Sequence, residues 1–128
     1  MRNENPTPED LAVERLVQEW LPIPDLAEQL NMPLREVRRL VNDRILLAHR
    51  VGERRVIAVP AKFVKEGSVL PSIPGTITVL TDAGFTDLEI LTWLFTPDET
   101  LPIEGAPVDM LQAGRKAEIR KRAQELAF

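Results

Sequence analysis

At 128 residues, with 44% hydrophobic and 28% charged residues and a net charge of −4, the chain can form one ordinary domain or two very small ones around a packed core. The absence of cysteine excludes disulfides and thiolate metal sites. A single histidine, His49, leaves zinc and triad chemistry almost nothing to work with, so neither an enzyme nor a bound metal or cofactor is expected. No apolar run approaches the roughly 20 residues that cross a bilayer, and the polar, acidic start MRNENPTPED is no secretory signal; no membrane partner and a cytoplasmic location are the corresponding expectations.

Residues 1–8, with Pro6 and Pro8 and little to bury, read as a disordered arm. Thr7 in it reads as a solvated residue, with phosphorylation as the alternative. A helix is predicted from about residue 8 or 9, where proline and the acidic Glu9 and Asp10 suit a first turn. Leu11, Val13, Leu16, Val17 and Trp20 give it an apolar stripe at helical spacing; Trp20 reads as core. Pro22 and Pro24 break the chain.

The stretch 23–41, IPDLAEQLNMPLREVRRLV, then reads as two helices joined by a tight turn. Leu26, Ala27 and Leu30 face inward, the small Ala27 allowing close helix crossing. Asn31 stands at the turn, where a left-handed backbone is needed and asparagine is the most tolerant residue after glycine. Met32 is expected to plug the core. Pro33 replaces the side-chain cap that serine or threonine would supply to the second helix. On that helix Leu34, Val37, Leu40 and Val41 take one side, and Arg35, Arg38, Arg39 and Asn42 take the other. Arginines three and four apart are neighbours, and clustered like charges cost stability unless a counter-charge arrives.

A two-stranded ribbon is predicted next, 46–50 and 55–59, rich in β-branched residues and joined by Val51-Gly52-Glu53-Arg54. Arg50, Arg54 and Arg55 crowd its tip, and His49 reads as a partly exposed polar residue. Phe63 is placed at the base of the ribbon. Residues 65–68 form the candidate boundary.

Beyond it a helix is predicted over 74–83, ended by Gly84. Thr86-Asp87-Leu88-Glu89 reads as a capping box that opens a hydrophobic helix through Phe95. After a loop, a short helix is expected at 107–112 and a final one at 115–128. The last has Ile119, Ala123 and Leu126 on one side and Arg115, Lys116, Arg120, Lys121 and Arg122 elsewhere. Asp82, Asp87 and Glu89 are assigned to capping and surface solvation.

The acidic total conceals a polarised chain. Residues 33–65 hold nine basic and three acidic side chains, whereas residues 66–109 hold no basic and eight acidic ones. The positive block coincides with the second helix of the pair and the ribbon, and a local basic face matters more to a polyanion than the whole-chain charge.

Helix, turn, helix, ribbon is the order of a winged helix-turn-helix. In that geometry Arg35 and Arg38 are placed to read base edges, Arg39 and Arg44 to grip phosphate, and Arg50, Arg54 and Arg55 to reach the backbone or minor groove from the wing. The fold class is therefore mainly α with a small β wing: a disordered arm 1–8, a winged helix-turn-helix 9–65, and a helical C-terminal domain 66–128 packed on it.

The segment WLPIPDLAEQLNMPLREVRRLVNDRILLAHRVGERRVIAVPAKFV resembles the winged helices of the excisionase and MerR-like group. The segments LPSIPGTITVLTDAGFTDLEILTWLFTPDETL and PVDMLQAGRKAEIRKRAQELAF are similar to the C-terminal domain of a small actinobacterial family of DNA-binding proteins, GFTDLEILTWLFTPD most specifically. The resemblance implies DNA binding through Arg35, Arg38, Arg39, Arg50, Arg54 and Arg55. It also implies regulation by a Ser/Thr protein kinase acting on the N-terminal arm, where Thr7 is the acceptor. The expected function is that of a double-stranded DNA-binding transcriptional regulator or nucleoid-associated factor, with self-association through the C-terminal domain. The alternative is a protein-interaction module whose helix-turn-helix no longer binds DNA, favoured by the net acidity and the hydrophobic helix at 88–95.

Overall fold

The computed structural model describes residues 5–126. The first helix, α1 (Pro8–Val17), opens with a complete capping box. Thr7 Oγ1 accepts from the Asp10 N–H at 3.1 Å, and Asp10 Oδ2 accepts from the Thr7 N–H at 2.9 Å. Thr7, placed by sequence in the arm 1–8, is thus the N-cap of α1, while residues 1–4 of that arm lie outside the described residues. Val13 and Val17 are buried, but Leu11 is 37% exposed and leaves the expected stripe.

The helix stops at Gln18, whose φ of 72° turns the chain. Trp20 therefore does not extend the stripe of α1. It begins β1 (Trp20–Pro22), half-buried, with its indole N–H donating to the Glu14 carbonyl at 3.1 Å. The reversal at Gln18 is a tertiary outcome that helical periodicity does not reveal.

The helix pair follows as α2 (Ile23–Leu30) and α3 (Leu34–Asn42). Asn31 sits in the left-handed region, φ 54° and ψ 49°. The Met32 N–H donates to Ala27 O at 3.0 Å and the Asn31 N–H to Glu28 O at 3.2 Å. This paired closure satisfies the last carbonyls of α2 and aims α3. Pro33 N-caps α3 without a side-chain bond. Of the residues assigned to the apolar side, Val37 is fully buried and Leu40 and Val41 are half-buried, whereas Leu34 is 41% exposed. Met32 does not plug the core either; it is 36% exposed, because the closure at Asn31 carries it to the outside of the turn.

Strands β2 (His49–Val51) and β3 (Val56–Pro60) form the wing, and β1 adds to it, giving a three-stranded antiparallel sheet in the order β1-β3-β2. The expected two-stranded ribbon is thus a three-stranded sheet. Leu21 pairs with Val59, and Arg50 with Ile57. After a 3₁₀ turn at Ala61–Phe63, a tight hairpin of β4 (Val64–Lys65) and β5 (Ser68–Val69) occupies the candidate boundary. Its turn residues, Glu66 and Gly67, both have positive φ, 52° and 77°, the backbone that matches the twist of paired strands.

The second half comprises α4 (Ile73–Asp82), α5 (Asp87–Phe95), α6 (Pro107–Gln112) and α7 (Lys116–Glu125). Gly84, φ 95°, ends α4 as predicted, and the Thr86–Glu89 capping box of α5 is complete. Leu126, expected on the buried side of the last helix, is 41% exposed beyond its end.

One apolar cluster runs through both halves. It contains Val13, Leu26, Val37, Leu46 and Phe63 from the first and Ile77, Leu80, Ile90, Leu94 and Ile119 from the second. The Phe63 and Phe95 rings lie 5.8 Å apart between centroids, across the junction. Polar ties reinforce it: Lys62 Nζ reaches Asp109 Oδ1 at 2.8 Å, and Lys65 Nζ donates to the Gln112 carbonyl at 2.7 Å.

Candidate nucleic-acid interface

Nine basic side chains enter the segment 33–65, and the fold sorts them into two groups. Arg35, Arg38 and Arg39 project from α3, and Arg54 from the wing turn. All four are exposed, and none of their side chains makes a hydrogen bond or ion pair among the described residues. Burial of Val37 against the core fixes the rotation of α3, so the arginines must point outward. With spacings of three and four they form one surface row, where like charges repel.

The remaining cations have partners within the chain. Arg44 takes the left-handed position after α3, φ 60°, with the Ile45 N–H donating to Leu40 O at 2.9 Å. That backbone turns its guanidinium toward the second half, where it donates to Asp87 Oδ1 at 2.8 Å and Thr81 Oγ1 at 3.0 Å. Asp87, assigned from sequence to capping and solvation, is thus the counter-charge of a residue expected on phosphate. No sequence signal links them, since they stand 43 positions apart.

Arg50 and Arg55 clasp the wing. Each donates from its Nη1 to the other's backbone carbonyl at 3.1 Å. Arg55, in the left-handed region at φ 53°, is half-buried, its Nε lacks a hydrogen-bond partner, and its Nη2 lies 4.0 Å from Asp10 Oδ2. Arg50 remains exposed, so the wing offers solvent Arg50 and Arg54 rather than all three arginines.

Residues outside the motif hold the wing in place, and sequence reading did not single them out for this. Glu14 accepts from the Gly52 N–H at 3.2 Å. The Asp10 carbonyl accepts from His49 Nε2 at 3.0 Å, and the His49 ring lies tilted against Trp20 with centroids 5.6 Å apart. The Thr7 N–H bond is the largest influence and holds the Asp10 carboxyl below the usual carboxylate range against the opposing effect of burial, with smaller help from the Thr7 hydroxyl and the charges of His49 and Arg55. The first turn of α1 therefore braces the wing, at a sequence separation where no local pattern could show it.

Among the described residues no group of three His, Cys, Asp or Glu side chains could hold a metal ion, and no helix is long and apolar enough to cross a membrane.

Comparison with known proteins assigns both halves. Residues 6–64 match the family described as DNA-binding protein Rv2175c, wHTH domain, and residues 70–127 match the Rv2175c C-terminal domain of unknown function. The DNA-binding protein Rv2175c of Mycobacterium tuberculosis (strain ATCC 25618 / H37Rv) is 35% identical over 119 residues, which cover 83% of this chain and 79% of that one. The NMR structure of Rv2175c aligns with a TM-score of 0.76 at 34% identity, over 86% of this chain and 82% of that chain. The family is one of DNA-binding proteins and not of enzymes. The chain belongs to the Rv2175c family, small actinobacterial proteins in which a winged helix-turn-helix is followed by a helical domain of their own.

Proposed function

We propose that this chain binds duplex DNA in the cytoplasm as a transcriptional regulator or nucleoid-associated factor, with α3 in the major groove and the wing on the adjacent backbone. The observation that carries the reading is the sorting of its cations. Arg35, Arg38, Arg39 and Arg54 stand exposed and unpaired among the described residues on two neighbouring elements, while Arg44, Arg55, Lys62 and Lys65 are engaged within the chain. A repelling row of arginines is stabilised when a polyanion supplies the missing counter-charge. Arg35 and Arg38, nearest the start of α3, are the base-reading candidates; Arg39, Arg50 and Arg54 are the phosphate-gripping ones.

Thr7 belongs to the same proposal as the acceptor for a Ser/Thr protein kinase. It is exposed, and its capping partner Asp10 lies beside Arg55 at the turn of the wing. A phosphate there adds about −2 charge next to a surface that meets a polyanion, and so opposes binding. Self-association through the second half also belongs to it, since a single module of this kind buries little DNA surface.

The test is enrichment of bound duplexes from a random pool at two salt concentrations, followed by a mobility shift with Arg38→Ala/Arg54→Ala. The double variant is expected to lose the shift while keeping its melting temperature. A double variant that binds as the parent does would place the site elsewhere. A complex with a protein and no DNA shift at any salt concentration would favour the interaction-module alternative.

A further inference from the structure

Six large hydrophobic side chains among the described residues are exposed, and four of them, Met32, Leu34, Val56 and Ile57, lie at the start of α3, on the turn before it and on the wing. The first two are the ones that bear on recognition. Leu34 is the first residue of α3, next to Arg35 and one helical turn before Arg38. Met32 and Pro33 continue the apolar surface into a shallow hollow bounded by Pro24 and Ala27 of α2. Contiguous apolar surface rimmed by charge marks a binding site more often than scattered exposed residues do. Glu28 is the one charged residue that lines the hollow itself; the exposed cations are Arg35 and Arg38, which follow Leu34 on α3, and they specify an anionic partner with an apolar group within reach of Leu34.

Duplex DNA supplies that combination at one place. In the major groove the only apolar group on a base edge is the C5 methyl of thymine, while guanine presents N7 and O6, which an arginine can bridge. We propose that Leu34, supported by Met32, reads the methyl group of a thymine adjacent to a guanine contacted by Arg35 or Arg38. The start of α3 is then a mixed apolar–cationic reader that discriminates by a methyl group as well as by hydrogen bonds. This inference rests on the DNA-binding proposal above and adds to it the chemistry that is read.

The experiment uses the full chain and the duplex it enriches most strongly from a random pool. Affinity is measured by fluorescence anisotropy for that duplex and for the same duplex with every thymine replaced by uracil, which removes only the methyl groups and leaves the protein untouched. Wild type is expected to lose about four-fold for each methyl contacted, the equivalent of about 0.8 kcal/mol for one buried methylene. Leu34→Ala is expected to lose a similar factor on the thymine duplex and to bind both duplexes equally. A melting temperature unchanged in Leu34→Ala confirms that the loss is one of contact.

The inference is overturned if wild type does not distinguish the two duplexes, if Leu34→Ala distinguishes them as wild type does, or if the enriched duplexes share no thymine. Failure of the DNA-binding proposal itself has a different signature, absence of binding by wild type to any duplex, and it overturns both.

Discussion

Replacing Arg39 and Arg54 together by alanine separates contact with DNA from mere solvation. Both side chains are exposed and unpaired among the described residues. Alanine is the better helix former at 39, and partnerless surface changes stay within about 0.5 kcal/mol, a shift of a few degrees at most in a chain of this size. The effect on binding is of another order. Each phosphate neutralised contributes about −0.9 to the slope of log K against log salt, so removing two contacts makes the slope shallower by about 1.8. Between 50 and 200 mM salt the variant's affinity falls by roughly twelve-fold less than that of wild type, from the same coefficient. Anisotropy titrations at four or five salt concentrations on one duplex measure the slope directly. An unchanged slope at an unchanged melting temperature would refute the reasoning, because it would show that these arginines meet water in the complex as they do in the free chain.

The continuous core makes a second expectation. Phe63→Ala removes a fully buried ring that meets Phe95 across the junction, at a cost of about 3–5 kcal/mol; calorimetry should show one unfolding transition in wild type and one, at lower temperature, in the variant, and two separate transitions would contradict a shared core. At the helix turn, Asn31→Gly should keep or raise the denaturant midpoint, whereas Asn31→Ala should lose roughly 1 kcal/mol, because the left-handed backbone at φ 54° is strained for a side chain with a Cβ that cannot bond locally. Equal midpoints would remove the backbone argument. Acid should destabilise the fold with a definite sign. Hydrogen bonds from Thr7 hold the carboxyl of Asp10 below its ordinary value, those from Thr100 do so for Asp98, and that from Arg122 for Glu118. Groups lowered in the folded state stabilise it above their ordinary values of 3.8, 3.8 and 4.5, and that contribution is lost as pH falls through and below this range. Melting temperature should be flat above about pH 5.5 and fall progressively below about 4.5; a curve flat to pH 3 would show that these bonds contribute nothing.

Local rules were enough for much of this chain. Asn31 could be read as a left-handed turn and Gly84 as a helix stop, because each relieves a steric conflict between neighbouring residues. The Thr86 capping box and the three outward arginines of α3 were legible for a similar reason. Capping depends on residues three apart, and amphipathic spacing tells which side of a helix faces water. The basic face could likewise be found by counting charge along the segment. Tertiary structure decided what lies between distant residues. Arg44 reads from the sequence as a phosphate-gripping residue, and the fold adds a partner for it in Asp87, 43 positions away. Arg55 turns into the wing toward Asp10, and Trp20 leaves its helix to become a strand of the wing sheet. Met32 and Leu34 have the polarity of core residues and lie outside, because the closure of the helix turn, not hydrophobicity, directs them. Composition and spacing determine how a residue sits on its own element. Which elements meet, and so which charges are left without a partner, is decided only when the shared core closes.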